Sequence, residues 1–202
     1  RTFEHSVIEE FANYSSVPII NGLTNQHHPC QILADIFTFQ EKRGTIRGKQ
    51  VAWIGDSNNV CASWMQAALI LNFTLNVSSP PGFGIDLKDT QFSNQNLIKQ
   101  FEDPKAAAKD VDLIVTDVWT SMGFESEVAE RTQSFKAWQV NQEILGHAKK
   151  NAIFMHCLPA HRGEEVTAEV IEGPKSVVWE EAENRLHTQK ALLEVMLLGK
   201  LR

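Results

Sequence analysis

Short apolar runs alternate along the chain with longer stretches in which apolar residues recur at helical spacing. Four of the runs are rich in Val, Ile and Leu and are bounded by polar or turn-forming residues, which is typical of strands buried on both faces of a parallel sheet. These four runs cover residues 51–55, 75–77, 112–116 and 152–155. Two further short strands are expected at residues 17–20 and 176–179.

Helices are expected between the strands, because the intervening segments carry apolar residues three and four positions apart. The longest are a helix that begins at Pro29 and a closing helix over residues 180–198. Shorter helices are expected at residues 7–14, 62–69, 96–102, 104–109, 125–135 and 141–148. The alternation of strands and helices predicts an α/β fold in which helices flank a mostly parallel sheet.

The composition narrows the class of function. With 202 residues, 43% of them hydrophobic, the chain can bury a substantial core, and its formal net charge of −6 argues against a nucleic-acid surface. The three cysteines are widely spaced and the histidines follow no ligand spacing, so neither a disulfide framework nor a metal site is expected. No signal peptide or long apolar span is recognisable, which predicts a soluble cytoplasmic protein without a membrane partner.

The candidate chemistry lies at the carboxyl ends of the expected strands, where open α/β sheets bind their ligands. His156 and Cys157 follow one strand, and Asp117 follows another. A structural interpretation of the first pair stays open, in which the thiol is a packed core group and the imidazole a satisfied polar neighbour. The turn that carries Asn58 and Asn59 lacks the three spaced glycines of a dinucleotide site, so a small polar ligand is favoured there.

A second candidate position is the start of the helix that begins at Pro29. His28 and Gln31 lie beside the free N–H groups and the positive dipole end of that helix. Such helix ends hold anions or polarised carbonyl oxygens. The alternative is an ordinary helix start with a solvated His-Gln pair.

Specific strings of residues stand at these positions. They are His28-Pro29-Cys30-Gln31, Asp117-Val118-Trp119-Thr120-Ser121-Met122-Gly123, His156-Cys157-Leu158-Pro159 and Glu181-Ala182-Glu183-Asn184-Arg185. In their order and spacing the strings closely resemble the ornithine carbamoyltransferase family across almost the whole chain. The resemblance implies a Rossmann-like ornithine-binding domain of a two-domain carbamoyltransferase. It implies transfer of the carbamoyl group from carbamoyl phosphate to the side-chain amine of L-ornithine, which gives L-citrulline and phosphate in arginine biosynthesis. It also implies a homotrimer, and no metal or organic cofactor is required.

The resemblance assigns roles to individual residues. For carbamoyl phosphate it implies contacts from Arg1, His28, Gln31, Cys157, Arg185 and the backbone of Leu158. For ornithine it implies contacts from Asn59, Asp117, Ser121 and Met122. Cys157 is implied as the catalytic acceptor of the proton that leaves the amine. A thiol that titrates near ~8.5 suits this role better than a carboxylate does.

One departure from the family pattern is large, because the phosphate-binding string Ser-x-Arg-Thr of the first domain occurs nowhere in the sequence. The resemblance divides the chain into the tail of a carbamoyl-phosphate-binding domain (1–27), an interdomain helix (28–44), the ornithine-binding domain (45–180) and a C-terminal helix that packs back on the first domain (181–202). On this interpretation the 202 residues alone carry half of an active site and make no citrulline.

Three other functions share some of these sequence features. A carbamoyltransferase for aspartate, putrescine or an acylated ornithine stays open, although Asp117 and Ser121-Met122-Gly123 favour an acceptor with an amino-acid head and a cationic tail. A catalytically incomplete ligand-binding fragment also stays open. A nucleotide-binding dehydrogenase is disfavoured by the glycine-poor turn after Ile54.

Overall fold

The computed structural model describes residues 1–85, 96–120 and 128–199, without the side chains of 128 and 129. Its strands are β1 (Gln50–Ile54), β2 (Thr74–Ser78), β3 (Ile98–Phe101), β4 (Leu113–Thr116) and β5 (Ile153–His156). Its helices are α1 (His5–Tyr14), α2 (Pro29–Arg43), α3 (Asn59–Leu71), α4 (Pro104–Ala108), α5 (Val128–Phe135), α6 (Gln142–His147), α7 (Ala168–Ile171) and α8 (Val178–Leu198). The strands form one sheet with the order β3-β2-β1-β4-β5, and every neighbouring pair is parallel. The predicted α/β class is confirmed.

The central strand β1 explains why the apolar runs were easy to recognise. It pairs with β2 on one side and with β4 on the other, in registers that place Val51 beside Leu75 and Leu113. Helices cover both faces of the sheet, so each residue of this strand from Val51 to Ile54 is inaccessible to solvent. A strand in this position must be apolar throughout rather than alternating.

Two apolar layers pack on the two faces of the sheet, because successive side chains of a strand point to opposite faces. Val51 and Trp53 belong to the layer formed with α2 and α3, in which Trp64 is fully buried. Ala52 and Ile54 belong to the opposite layer, formed with α6, α7 and the first turn of α8. The sheet therefore packs against α2 on one face and against the first turn of α8 on the other.

Helices α2 and α8 pack along each other, and buried polar groups join them. Asn184 donates hydrogen bonds to Thr38 Oγ1 at 2.9 Å and to Glu41 Oε2 at 2.8 Å. Both helices begin near the carboxyl end of β5, which brings their first turns to the same edge of the sheet as the strand tips.

Three of the predicted elements are wrong. Residues 17–20 form no strand, since Pro18 lacks an N–H group and this segment has no sheet partner among the described residues. Residues 96–102 were predicted as a helix, but 98–101 form the edge strand β3, which pairs with β2. Residues 176–179 form only a single bridge, between Ser176 and Phe154, and the chain then enters α8 at Val178.

The long helix α8 has 21 residues and exposes apolar side chains, among them Leu186, Leu193 and Leu197. Glu180, Glu181 and further charged residues interrupt its apolar character along the whole length. In the part of the chain that the structure describes, no helix has the length and hydropathy that a membrane span requires.

Candidate active site

The candidate site lies between β1 and β4, where the order in which strands are added to the sheet switches from one side of β1 to the other. The chain runs outward from β1 to β2 and β3 on one side, and it returns to place β4 and β5 on the other side. At such a switch point the loops after neighbouring strands separate and leave a crevice. The loops after β1, β4 and β5 carry Asn58, Asp117 and Cys157 at this crevice.

Asp117 lies at the centre of a hydrogen-bonded group that joins all three loops. Its Oδ2 accepts a hydrogen bond from Asn58 Nδ2 at 2.7 Å, and its Oδ1 accepts one from the thiol of Cys157 at 3.0 Å. The backbone N–H of Val118 donates to Oδ1 at 2.8 Å. The carboxylate is 8% exposed, so it offers a largely desolvated negative charge.

The Cys157 thiol holds its proton firmly in this arrangement. Burial raises its pKa well above the ordinary value, and the neighbouring Asp117 carboxylate raises that pKa further. Glu181 and Asp35 act in the same direction from a greater distance. The expected thiol pKa near the ordinary value is therefore wrong for this arrangement, in which Cys157 is a hydrogen-bond donor.

The asparagines of the first turn have different partners from those expected. Asn59 was expected to contact the acceptor, but its Nδ2 donates to the carbonyl oxygen of Thr24 at 2.7 Å. Asn58 begins α3 as its N-cap, accepts hydrogen bonds from Val60 and Cys61, and uses its amide nitrogen to hold Asp117. The N-cap preference of asparagine before an apolar helix was the sequence signal for Asn58.

His156 is a buried, satisfied residue, as in the structural interpretation of its motif. Its Nδ1 accepts a hydrogen bond from the backbone N–H of Leu158 at 2.9 Å, so Nε2 carries the proton and donates to Glu165 Oε1 at 3.3 Å. Both side chains are fully buried. Leu158 has a φ of 52°, and the Leu158–Pro159 peptide bond is cis. His156 thus fixes the turn that presents Cys157 and Leu158. No pattern in the sequence indicates Glu165 as its partner.

The first turn of α2 faces these strand tips. The N–H of His28 donates to Ser63 Oγ at 2.7 Å, while its ring Nδ1 is buried and lacks a hydrogen-bond partner. Burial and the Arg185 guanidinium lower the pKa of His28 to about 4, so the ring is neutral near pH 7. Arg1 is exposed, yet it is close enough to lower that pKa further.

Gln31 is enclosed by Arg185 and by two carboxyl groups, those of Asp35 and Glu181, that the sequence did not predict as its partners. Its Nε2 donates to Asp35 Oδ1 at 2.7 Å and to Glu181 Oε1 at 2.9 Å, and its Oε1 accepts from Arg185 Nη1. The other oxygen of Glu181 accepts the backbone N–H of His156 at 2.9 Å. Asp35 lies four residues after Gln31, on the same face of α2. This spacing was the signal in the sequence that the two side chains are neighbours.

The structure therefore brings most of the expected site residues to one edge of the sheet. Asp117 and Cys157 are in direct contact, and Gln31 contacts Arg185. Ser121 and Met122 lie outside the described residues.

In the described part of the chain, two groups of side chains have enough ligand atoms close together to hold a metal ion. Asp117, His156 and Cys157 have ligand atoms within 4.8 Å of one another, but both ring nitrogens of His156 already serve Leu158 and Glu165. A second group, at the described turn after β5, consists of His161, Glu164 and Glu165. Of the first group, only Asp117 and Cys157 have side chains at the crevice, and they hydrogen-bond to each other.

Comparisons with known proteins agree with the motif analysis. The family model described as "Aspartate/ornithine carbamoyltransferase, Asp/Orn binding domain" matches residues 47–196, and the model of the family's carbamoyl-P binding domain matches residues 1–41. Ornithine carbamoyltransferases of Burkholderia lata and Methylobacillus flagellatus are each 60% identical, over 202 and 200 residues. The chain spans 65% of the length of each of these relatives, while 100% and 99% of the chain is matched.

Solved structures give the same result. The ornithine carbamoyltransferase of Burkholderia thailandensis superposes with a TM-score of 0.91 at 55% identity, covering 100% of this chain and 65% of that chain. The anabolic enzyme of Campylobacter jejuni superposes with a TM-score of 0.91 at 38% identity, covering 99% of this chain and 68% of that chain. The chain belongs to the aspartate/ornithine carbamoyltransferase family.

Proposed function

We propose that the protein transfers the carbamoyl group of carbamoyl phosphate to the side-chain amine of L-ornithine, with L-citrulline and phosphate as products. In this reaction the amine nitrogen forms a bond to the carbamoyl carbon, the bond from that carbon to the phosphate oxygen breaks, and the amine loses a proton. The relatives named ornithine carbamoyltransferase support the proposal. The observation that carries it is the buried Asp117 carboxylate, fixed between Asn58 and Cys157 at the sheet's switch point.

The environment of Asp117 fits a cationic acceptor. The side-chain amine of ornithine resembles that of lysine, with a pKa near ~10.4, so roughly one molecule in two to three thousand is neutral at pH 7. A desolvated carboxylate binds the abundant cation and holds its nitrogen at the strand tip. Ser121 and Met122 belong to the same proposal, as contacts of the amino-acid head, and Asn59 is proposed beside them.

Proton removal by Cys157 requires the substrate to change the thiol's surroundings. The thiol now donates to Asp117 and its pKa is raised. An ammonium group that takes the thiol's place at Asp117 puts a positive charge beside the sulfur, which favours the thiolate. In the proposed mechanism the thiol therefore becomes an acceptor only after the amine has bound.

The opposite wall of the crevice suits carbamoyl phosphate. Arg185 supplies a guanidinium for the phosphate, and Arg1 is proposed as a second. The neutral His28 ring can donate a hydrogen bond to the carbonyl oxygen, on which negative charge develops in the tetrahedral intermediate. The N–H of Leu158 is occupied by His156, so its carbonyl oxygen is the group proposed to contact the carbamoyl amino group.

An assay of phosphate release with a panel of acceptors, with the carbamoylated product of each acceptor identified by mass spectrometry, tests the proposal. The protein, expressed as its gene encodes it, is supplied with carbamoyl phosphate and with ornithine, aspartate, putrescine or N-acetylornithine. Ornithine should give the highest kcat/KM, because aspartate brings a second carboxylate toward Asp117. A preference for any other acceptor contradicts the assignment.

The wider organisation is proposed on the family resemblance. The domain division is the one given above. The order of its parts, a carbamoyl-phosphate portion before an ornithine portion, is supported by the two family models, which match residues 1–41 and 47–196. A homotrimer is proposed and is tested by sedimentation equilibrium. A reducing compartment such as the cytoplasm is proposed, because Cys30, Cys61 and Cys157 are free thiols.

A further inference from the structure

The contact between α2 and α8 buries two carboxyl groups behind the candidate site. Asp35 and Glu181 are each 1% exposed, on different helices, and the amide nitrogen of Gln31 lies between them. Burying two carboxyl groups together is unfavourable unless they hold protons or perform a task that other residues cannot. Neither group contacts the crevice directly, so their effect on the site must pass through their neighbours.

Hydrogen-bond chemistry fixes the orientation of the Gln31 amide. An amide nitrogen has two protons to donate, and here one goes to Asp35 Oδ1 and the other to Glu181 Oε1. An arginine only donates, so the opposite end of the amide, next to Arg185 Nη1, must be the oxygen. With its nitrogen held from behind, Gln31 presents only an acceptor toward Arg185 and the crevice.

The same pair of carboxyl groups anchors a second part of the site. Glu181 uses Oε2 to accept the backbone N–H of His156, the last residue of β5, while its Oε1 accepts from Gln31. Glu181 thus connects the first turn of α2 to the strand tip that presents Cys157. Asp35 has one oxygen on Gln31, and its Oδ2 is buried without a hydrogen-bond partner.

The charged and titratable groups around this pair come from four elements. Arg185 of α8 is the cation, and it lowers the pKa of Asp35. Asp117 after β4 raises that pKa, and Cys157 after β5 feels both members of the pair. His28 at the start of α2 faces Arg185 and Asp117. Burial outweighs these influences and raises the pKa of both Asp35 and Glu181.

We infer that Asp35 and Glu181 are positioning residues that hold the Gln31 amide with its oxygen toward the crevice. Once Arg185 turns to the phosphate, this oxygen accepts a hydrogen bond from the amino group of a carbamoyl ligand. The inference rests on the proposed function, and it adds two residues that touch no substrate. It makes Asp35 and Glu181 determinants of carbamoyl phosphate affinity, with a smaller effect on ornithine.

Matched substitutions at Asp35 separate this role from simple packing. Asp35→Asn keeps an oxygen that can accept from Gln31 Nε2, and its new amide nitrogen occupies the position of the unpartnered Oδ2. Asp35→Leu keeps the same branching at Cγ, with a larger side chain that accepts nothing, so the Gln31 amide is free to turn. Glu180→Gln, an exposed neighbour on α8 that pairs with Lys42, is the control for a lost carboxylate.

The test measures kcat, the KM of each substrate and the calorimetric Kd of carbamoyl phosphate in the protein as its gene encodes it. Asp35→Leu should raise the KM and Kd for carbamoyl phosphate at least about tenfold, which corresponds to the loss of about one hydrogen bond. The KM for ornithine should rise less than about threefold, and Asp35→Asn should recover most of the affinity. Equal KM values in the Asn and Leu variants overturn the inference.

A further variant keeps the test decisive if Asp35→Leu does not fold. Glu181→Gln has one acceptor oxygen for two donors, Gln31 Nε2 and the His156 N–H, so it should weaken carbamoyl phosphate binding about tenfold. An unchanged Kd in a folded Glu181→Gln protein overturns the inference. Failure of the proposed function looks different, since the unmodified protein then makes no citrulline with ornithine.

Discussion

The buried carboxyl group of Asp35 should leave a measurable pH dependence in the stability of the protein. Burial raises its pKa from 3.8 to about 7, and the opposing effects of Gln31, Glu181 and Arg185 are smaller. In the unfolded chain the group loses its proton near pH 4, whereas in the folded protein it keeps the proton up to about pH 7. Between these values the folded state binds one more proton, so the free energy of unfolding falls as the pH rises.

The size of the effect follows from the two pKa values. The interval from 3.8 to about 7 corresponds to up to about 4 kcal/mol, at about 1.4 kcal/mol per pKa unit. This stabilisation is fully present below about pH 4 and is lost as the pH rises through about 7. Asp35→Asn removes the ionisation, so its stability relative to the unmodified protein should improve by up to about 4 kcal/mol between about pH 4 and about pH 8.

The comparison must be made between variants rather than along one curve, because His28 acts in the opposite direction. Its folded pKa is lowered to about 4, so its contribution disfavours the folded protein at acid pH and is relieved as the pH rises toward 6.5. Subtracting the curve of the unmodified protein from that of Asp35→Asn cancels this contribution.

Urea unfolding followed by circular dichroism gives the required free energies at several pH values from about 4 to about 8. Glu183→Gln, at an exposed position of the same helix as Glu181, is the control and should follow the unmodified protein at every pH. If the difference between Asp35→Asn and the unmodified protein changes by less than about 1 kcal/mol over this range, the carboxyl group is not held protonated and the reasoning fails.

Three further outcomes are expected. Asp117→Asn should weaken ornithine binding by about 3–5 kcal/mol and carbamoyl phosphate binding much less. Equal losses for both ligands in calorimetric titrations contradict the assignment of Asp117 to the ornithine side of the crevice. Cys157→Ser should keep a donor for Asp117 yet lower kcat and alter its pH profile, since a serine hydroxyl does not titrate near neutrality; an unchanged rate and profile return Cys157 to a packed thiol. Phe154→Ala, at a fully buried position of β5, should lower the free energy of unfolding by about 3–5 kcal/mol in urea titrations, and a loss below about 1 kcal/mol means that the core refills.

The strands that were predicted correctly share one physical property. β1, β2, β4 and β5 are covered on both faces, so their inner positions are buried and mostly apolar. In β2 the buried exception is Asn76, whose amide nitrogen donates to the carbonyl oxygen of Ala107. β3 is an edge strand whose Lys99 and Gln100 reach solvent, and its apolar residues Ile98 and Phe101 stand at a spacing that also fits a helix. Pairing with β2 decided its conformation, and that pairing is not visible in a local pattern.

In the site, too, residues marked by a local pattern were predicted, and contacts between residues far apart in the chain were not. Asp117 and Cys157 were recognisable because each ends an apolar run, and strand ends meet at one edge of the sheet. Glu181 was not singled out as a partner of Gln31, because 150 residues separate them in the chain and only the packing of α2 on α8 joins them. Glu165 acts on His156 through a turn that no periodicity predicts.

The arrangement of charge in the crevice fits the proposed reaction, in which one cleft takes two substrates of opposite charge. On the sheet side, Asp117 lies beside the Cys157 thiol. On the helix side stands Arg185, next to a His28 ring that is kept neutral by burial and by that arginine. A phosphate is repelled from the first wall and attracted to the second, and an ammonium group experiences the reverse. Each substrate then neutralises the wall that it occupies. The negative charge of Asp117 is one cause of the raised pKa of the Cys157 thiol. In the proposed mechanism, binding of the amine cation offsets that charge, so the thiol becomes a proton acceptor only when the amine is bound.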